Sequence, residues 1–466
     1  MRLYNTLGKE LQAFVPRDAG KASIYVCGPT VQSAPHLGHG RAAVVFDVLR
    51  RYLEWTGLEV LYVTNVTDVE DKIIAEANDR GVAAEEVAAE ATEQFLKGYR
   101  ALGVRDADQT PYATAHIPEM IALVERLIES GHAYESEGDV YFAVRSYPEY
   151  GKLSGHNLDE LISGARVDPG EHKKDPLDFA LWKAAKPGEP HWTSPWGEGR
   201  PGWHIECSAM AAKYLGRSFD IHGGGLDLVF PHHENEIAQS EAADGVPFAK
   251  YWMHNGMLNL RGEKMAKSTG QLIGLLDALD RYPPTAIRLF YLRKHYRSPL
   301  DFSDDAIGDA VNSLDRLWAF RRRAGDGSEP DRDVLAAFSQ AMDDDLNTAE
   351  ALAALFDAVA EGNRRLDEGG DVGSLVAAYD QIVSVLGIAE PDSDIDEIAS
   401  VLAELAEGLG VESSGNAAEV LDTLVAHREG ARAQGDFATS DAVRDGLAEL
   451  GVVVEDTADG PRWHRG

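Results

Sequence analysis

The chain holds only two cysteines, Cys27 and Cys207. His232 and Glu236 stand four residues apart, which puts them on one face if the segment is helical. Two thiolates, one imidazole and one carboxylate make a tetrahedral donor set of the kind that takes Zn²⁺. The four are spaced far more widely than in a zinc finger, so His233 with Glu234, or no metal at all, stay open as alternatives. A second group is cationic: Lys264 and Lys267 lie three apart ahead of Thr269-Gly270. Two lysines in a loop can clamp a polyphosphate, and an exposed basic turn is the plain alternative. A third is His36-Leu-Gly-His39, at the junction of a β-prone run and a helical one. The amino end of a helix favours phosphate, and two imidazoles there can stabilise charge developing at phosphorus. A capping histidine beside a core histidine is the competing view.

The elements that must position these groups follow from periodicity. Residues 22–27 are apolar and β-prone and run into Gly28-Pro29. From Arg41 to Trp55, Val44, Val45, Val48, Leu49, Tyr52 and Leu53 recur at helical spacing. A second strand over 60–65 follows Gly57, which completes the opening unit of a parallel sheet. Helical segments continue through roughly 69–102 and 116–130. Residues 133–200, rich in Pro, Gly, Trp and short β-like runs, read as an insertion between the halves of the sheet. A helix at 205–215, a strand at 218–222 and a turn at Gly223-Gly-Gly225 come next. A helix starts after Pro231, a favoured first-turn residue, and runs to Ala243, and a β-like run spans 252–260. From about 304 the chain is almost all helical, with a linker at 408–415 and two helices and a hairpin at the end. The expected fold is α/β. A Rossmann-like parallel-sheet domain covers 1–303 with an insertion at about 110–200, an all-α bundle covers 304–407, and a small domain covers 416–466.

The formal net charge is −34 over 466 residues, with Asp and Glu spread along the whole chain. Alone, that opposes nucleic-acid binding, which normally uses Lys and Arg. A dispersed acidic surface suits solubility in concentrated salt. At 1 M salt the Debye length falls to about 3 Å, which screens repulsion from an RNA backbone. The charge reads as a halophilic signature, with an acidic mesophilic enzyme as the alternative. Two cysteines in so long a chain exclude a disulfide scaffold. No apolar run reaches the roughly 18 residues of a membrane span, and the N-terminus lacks the apolar stretch of a secretory signal. A cytoplasmic protein with no membrane partner is expected.

His36-Leu-Gly-His39 and Lys264-Met-Ala-Lys-Ser268 resemble the two signature sequences of class I aminoacyl-tRNA synthetases, in order and separation as well as in type. Five longer blocks resemble the cysteinyl-tRNA synthetase family. They are Cys27-Gly-Pro-Thr-Val31, Asn65-Val-Thr-Asp68, Gly199-Arg-Pro-Gly-Trp-His-Ile-Glu-Cys-Ser-Ala-Met210, Phe219-Asp-Ile-His-Gly-Gly-Gly225 and Phe230-Pro-His-His-Glu-Asn-Glu-Ile-Ala-Gln239. The resemblance spans nearly the whole chain. Leu37 stands where the family has Ile, Gln32-Ser33 where it often has Tyr-Asp, and Ala266 where it has Ser.

The resemblance implies a cysteine–tRNA ligase that forms cysteinyl-adenylate from L-cysteine and ATP and passes the cysteine to tRNA(Cys). It implies one Zn²⁺ per chain on Cys27, Cys207, His232 and Glu236, there to recognise the substrate thiol. It implies His36, His39, Lys264 and Lys267 around ATP and its Mg²⁺, and Thr30, Thr67 and Trp203 around cysteine, although Trp203 could equally pack a core. Arg432-Ala-Gln-Gly-Asp-Phe-Ala-Thr-Ser-Asp-Ala-Val-Arg444 resembles the family's anticodon-binding region. Arg432, Phe437, Asp441, Arg444 and Asp456 match positions that read bases there. Phe437 replaces a frequent Trp, and for Asp441 and Asp456 a solvated face is the plain alternative. A monomer is expected. The competing functions are a paralogous ligase joining cysteine to an amino-sugar, which needs no anticodon domain, and an inactive tRNA-binding protein, which the intact histidines and lysines oppose.

Overall fold

The computed structural model describes residues 1–157, 172–260, 263–264, 272–391, 398–413, 415–457 and 460–465. Residues 1–389 and 390–466 form two compact units.

In the first unit, four parallel strands stand in the order Ala249–Asn255, Phe219–Gly225, Lys21–Val26, Glu59–Thr64. Helix Leu37–Trp55 crosses over between the first two strands in sequence, because Val44, Val45, Val48, Leu49, Tyr52 and Leu53 bury one face of it. Arg41, on the same helix, is fully buried. Its guanidinium donates to the carbonyls of Gly256 (2.8 Å), Met257 (3.0 Å), His295 (3.4 Å), Tyr296 (3.3 Å) and Ser298 (2.7 Å). It thereby fixes the chain that leaves the end of strand Ala249–Asn255. The segment 69–102 divides into helices Asp71–Arg80 and Ala84–Ala101, with Gly81 in the left-handed region at φ 69°.

The insertion carries a five-stranded antiparallel sheet in the order Ala133–Ser136, Asp139–Phe142, Phe179–Ala184, Gly197–Pro201, Trp192–Ser194. Asp71 joins it to the parallel-sheet domain by pairing with Lys183 (2.5 Å) and with buried Arg200. One apolar core fills the face under Leu37–Trp55 and continues into the helices Asp304–Arg323, Arg332–Asp343, Thr348–Asp367 and Gly373–Leu386. The other face shares its core with the insertion. Asp47 and Arg288, both buried, pair at 2.5 Å.

One expectation is corrected. Gly223–Gly225 is not a turn but the end of strand Phe219–Gly225, paired with Met253, His254 and Asn255. The run after Pro231 is helical as expected: within Val229–His233 only Phe230 departs from helical angles, and the regular helix is Glu234–Asp244.

In the second unit, helix Ala399–Gly408 packs through Leu402 and Ala406 into the core of helices Ala417–Ala433 and Phe437–Glu449. Asn416 and Glu419 form a capping box at the start of the second helix. Strands Val452–Thr457 and Gly460–Arg465 close the chain as a hairpin. Among the described residues, no helix is long and apolar enough to cross a membrane.

Candidate metal and nucleotide site

The order of the parallel sheet reverses between Lys21–Val26 and Phe219–Gly225, and ligands of such sheets bind at the carboxyl ends of the strands beside that point. Cys27 follows the first of these strands directly and donates its N–H to Gly223 O at 3.1 Å. At Gly28 a Cβ would fall 1.5 Å from the Asn65 carbonyl oxygen, so only glycine lets the two strand ends meet.

Cys207 sits on helix Trp203–Leu215, whereas His232 and Glu236 flank the start of Glu234–Asp244. Cys27 Sγ is 3.6 Å from Cys207 Sγ and 3.3 Å from Glu236 Oε1. His232 Nε2 is 3.1 Å from the same carboxylate oxygen. One donor atom from each of the four lies within 4.8 Å of all the others. The structure therefore brings the whole expected set together, on three separate elements.

The surroundings aim these atoms inward. His204 Nδ1 meets His232 Nδ1 at 2.8 Å, and His222 Nε2 meets Glu236 Oε2 at 2.8 Å. Each contact engages the atom that a shared ion would leave free. A second set, Cys27, His222, His233 and Glu236, also falls within 4.8 Å. It shares two members with the first, so the two are alternative seats for one ion.

Charge is arranged accordingly. Burial opposes ionisation of Glu236, yet His222 and His232 hold it well below the ordinary carboxylate range. Burial also acts against charge on His232, but Glu236 and Cys207 outweigh it and push it up to about 10. Hydrogen bonding with Cys27 favours the thiolate at Cys207, while burial raises Cys27 itself. The cluster thus keeps negative charge ready for a cation.

Around this centre, Trp203 stacks on His232 with ring centroids 4.3 Å apart, and the Lys72 ammonium stands 5.9 Å from the Trp203 ring. The loops bearing Thr30 and Thr67 run side by side: Val31 N–H donates to Thr67 O at 3.2 Å, and Thr67 N–H to Pro29 O at 3.1 Å. His36 is the N-cap of helix Leu37–Trp55, its Nδ1 accepting from Gly38 N–H at 3.1 Å. His39 Nδ1 accepts from His36 N–H at 3.2 Å, and the rings stack at 3.7 Å. Both imidazoles cap the helix through Nδ1. Burial lowers His36, and burial with His36 alongside lowers His39 to about 3.

Leu37 N–H donates to Ile273 O and Leu275 N–H to Pro35 O, which ties the segment after the lysine motif to the histidine motif. Lys264 belongs to strand Glu263–Lys264, paired with Leu258–Leu260. Ala266 and Lys267 lie outside the described residues.

In the second unit, Phe437 begins its helix and is 65% exposed. Arg444 pairs with Asp441 at 3.1 Å and with Asp445 at 3.0 Å. Arg432 lies in the last turn of Ala417–Ala433, and Asp456 belongs to the hairpin.

Periodicity and motif spacing gave no role to His204, His222, His254, Asn65 or Glu206, and named His233 only as an alternative ligand. Only His204 carried a local signal, since it stands three residues before Cys207 on one helix. Glu206 lies on that helix too, whereas His222, His254 and Asn65 arrive on strands or at their ends.

Residues 13–312 match the family described as "tRNA synthetases class I (C) catalytic domain". Residues 337–390 match a "DALR domain", and residues 416–463 match "Cysteinyl-tRNA ligase anticodon binding domain". The chain is 48% identical to the cysteine–tRNA ligase of Desulforudis audaxviator, over 100% of both chains. It is also 48% identical to that of Heliobacterium modesticaldum, over 100% of this chain and 99% of the other. Among solved structures, the methionyl-tRNA synthetase of Mycobacterium tuberculosis in complex with methionyl-adenylate shares the fold. Its TM-score is 0.57 and its identity 17%, over 84% of this chain and 94% of the other. The chain belongs to the cysteinyl-tRNA ligase family of class I aminoacyl-tRNA synthetases.

Proposed function

We propose that Cys27, Cys207, His232 and Glu236 hold one Zn²⁺ that selects cysteine for the reaction of this family, the ATP-dependent ligation of cysteine to tRNA. The observation that carries this is the convergence of two sulfurs, one imidazole nitrogen and one carboxylate oxygen within 4.8 Å beside the reversal of the sheet. When bound, zinc supplies preferential coordination of a thiolate over a hydroxyl. Shape alone rejects a near-isostere by only about 10²-fold, so a sulfur-seeking ion answers the problem of excluding serine.

The protein's own groups do the rest. Trp203, stacked on His232, and the paired loops of Thr30 and Thr67 wall the amino-acid pocket. His36 and His39, neutral and anchored by Nδ1, present Nε2 at the helix amino end to the triphosphate. Lys264 and Lys267 bind the phosphates together with Mg²⁺, and the cysteine carboxylate attacks the α-phosphorus as pyrophosphate leaves. Residues 1–303 act as the catalytic domain, with the insertion at about 110–200. Residues 304–407 span toward the anticodon, and 416–466 read it through Arg432, Phe437, Asp441, Arg444 and Asp456. The chain works as a cytoplasmic monomer.

The test is cysteine-dependent ATP–pyrophosphate exchange combined with metal analysis, at low and at molar salt. One zinc per chain is expected, lost in Cys207→Ser together with the preference for cysteine over serine. Exchange that survives zinc removal with its selectivity intact would sink the metal assignment.

A further inference from the structure

The helical bundle meets the parallel-sheet domain at a turn with an unusual backbone. Between helices Arg332–Asp343 and Thr348–Asp367, Asp345 and Leu346 both lie in the left-handed region, at φ 62° and 54°. Neither is glycine, both are buried, and a leucine rarely adopts that conformation. Such a turn persists only where its surroundings over-determine it. Here the surroundings are hydrogen bonds to Asp345. Its N–H donates to Arg2 O at 3.0 Å. Its Oδ1 accepts from Tyr4 N–H at 2.7 Å and from the Tyr296 hydroxyl at 2.9 Å. Burial and Asp345 together raise Tyr296 well above the usual phenol range, so the hydroxyl keeps its proton and donates. Oδ2 accepts from Arg297 Nε at 2.6 Å, and His295 Nε2 stands 3.4 Å from it. The Arg297 guanidinium also lies 4.3 Å from the centre of the Tyr4 ring.

Tyr296 and Arg297 belong to the segment 295–298, whose carbonyls also receive Arg41. Tyr296 O accepts from Gly256 N–H at 2.8 Å. A Cβ on Gly256 would fall 2.5 Å from the carbonyl oxygens of Arg297 and Ser298, so the two segments lie in direct contact. Just beyond, Leu300 N–H donates to Met257 O at 3.1 Å, and Leu258–Leu260 pairs in parallel with Leu300–Phe302. On its other edge Leu258–Leu260 carries Glu263–Lys264, with Asn259 opposite Lys264. A continuous run of contacts therefore leads from the Asp345 carboxylate to the backbone of Lys264. Arg41 holds that run from the helix of the histidine motif, and Asp345 holds it from the bundle.

We propose that Asp345 is a positioning residue for nucleotide binding. Its carboxylate fixes Tyr296 and Arg297. These fix Gly256 and the strand after it, and that strand sets where Glu263–Lys264 stands against the triphosphate. This rests on the reading that Lys264 binds the phosphates of ATP. A turn of the bundle is thereby part of the frame of the nucleotide site, although Asp345 acts only through other residues.

Pyrophosphate exchange by the full zinc-loaded chain, with KM for ATP and KM for cysteine measured separately, tests this. Asp345→Gly removes the carboxylate and leaves a residue suited to positive φ. It is expected to raise KM for ATP by about 10-fold, with KM for cysteine within about twofold of its starting value. Asp345→Asn keeps an acceptor and tolerates the left-handed region, so it should recover part of the loss. Tyr296→Phe cuts one arm at nearly constant shape. It should raise KM for ATP by itself, by a factor that disappears once Asp345 is replaced by glycine. A merely structural role would lower the melting temperature and leave the ratio of the two KM values alone. That result, or an equal rise in both KM values, would overturn the proposal. If Asp345→Gly does not fold, Tyr296→Phe decides by the same ratio. Lys264→Ala separates the two readings. An unchanged KM for ATP there removes the phosphate role of Lys264 and this inference with it. A raised KM there, beside an unchanged one in Asp345→Gly and Tyr296→Phe, removes this inference alone.

Discussion

His204 and His232 meet through their Nδ1 atoms at 2.8 Å. Burial holds His204 well below the usual histidine range, so it is neutral, and beside His232, which is pushed up to about 10, its Nδ1 accepts. His232 therefore donates from Nδ1 and turns Nε2 toward Glu236, 3.1 Å away. A His204→Phe variant loses this orientation. Its zinc affinity, measured by competition with a chelator, should fall by about 10–100-fold. His204→Asn keeps an acceptor and should recover part of the loss.

His39 and His254 are each held near pH 3, mainly by burial, against an ordinary value of 6.5. The folded chain keeps both neutral, while the unfolded chain takes up a proton on each as pH falls below 6.5. Stability therefore declines from pH 6.5 toward 3. Calorimetric melting at stepped pH should show this decline, and His254→Gln should make it shallower.

The Arg41 guanidinium donates to five backbone carbonyls. Arg41→Met leaves those acceptors buried and loosens Gly256-Met257. The first unfolding transition in urea should lose about 2–4 kcal/mol, and KM for ATP should rise in pyrophosphate exchange.

Among the described residues, Phe437 is the most exposed of the large apolar side chains, which suits the proposed platform for an unstacked base. Phe437→Ala should raise KM for tRNA by roughly 10–100-fold, the equivalent of one stacked base. Cysteine-dependent pyrophosphate exchange, which needs no tRNA, should not change.

With a net charge of −34, the folded chain repels itself at low ionic strength. Adding KCl up to about 1 M, where the Debye length is near 3 Å, should raise the melting temperature. A flat or falling curve would count against the halophilic reading of the composition.

Much of the scaffold was legible because it is local. The apolar face of Leu37–Trp55 repeats at helical spacing, and His232 and Glu236, four apart on the helical run after Pro231, approach to 3.1 Å. What periodicity could not show was contact made across the sheet. Gly223–Gly225 carries no strand propensity and suggested a turn. It pairs with Met253, His254 and Asn255 as a strand, and it is glycine because close neighbours leave no room for a Cβ, with Phe46 2.3 Å from the one Gly223 would carry and His233 2.9 Å from that of Gly224. Glu206 and Thr67 lie 139 residues apart, and His233 and His254 come from different elements. No spacing rule links such pairs. The resemblance placed the metal set, and the geometry then supplied the histidines around it.

The carbonyls that receive Arg41 lie 215 to 257 residues downstream of it. At about 5–20 residues per second, the ribosome delivers them roughly 10–50 s after Arg41 itself. Through that interval the helix that begins at the histidine motif exists without its lining, and an arginine destined for the interior faces water. The amino-terminal half of the catalytic domain therefore cannot mature as it emerges. It has to wait, soluble and unfinished, for the second half to be made.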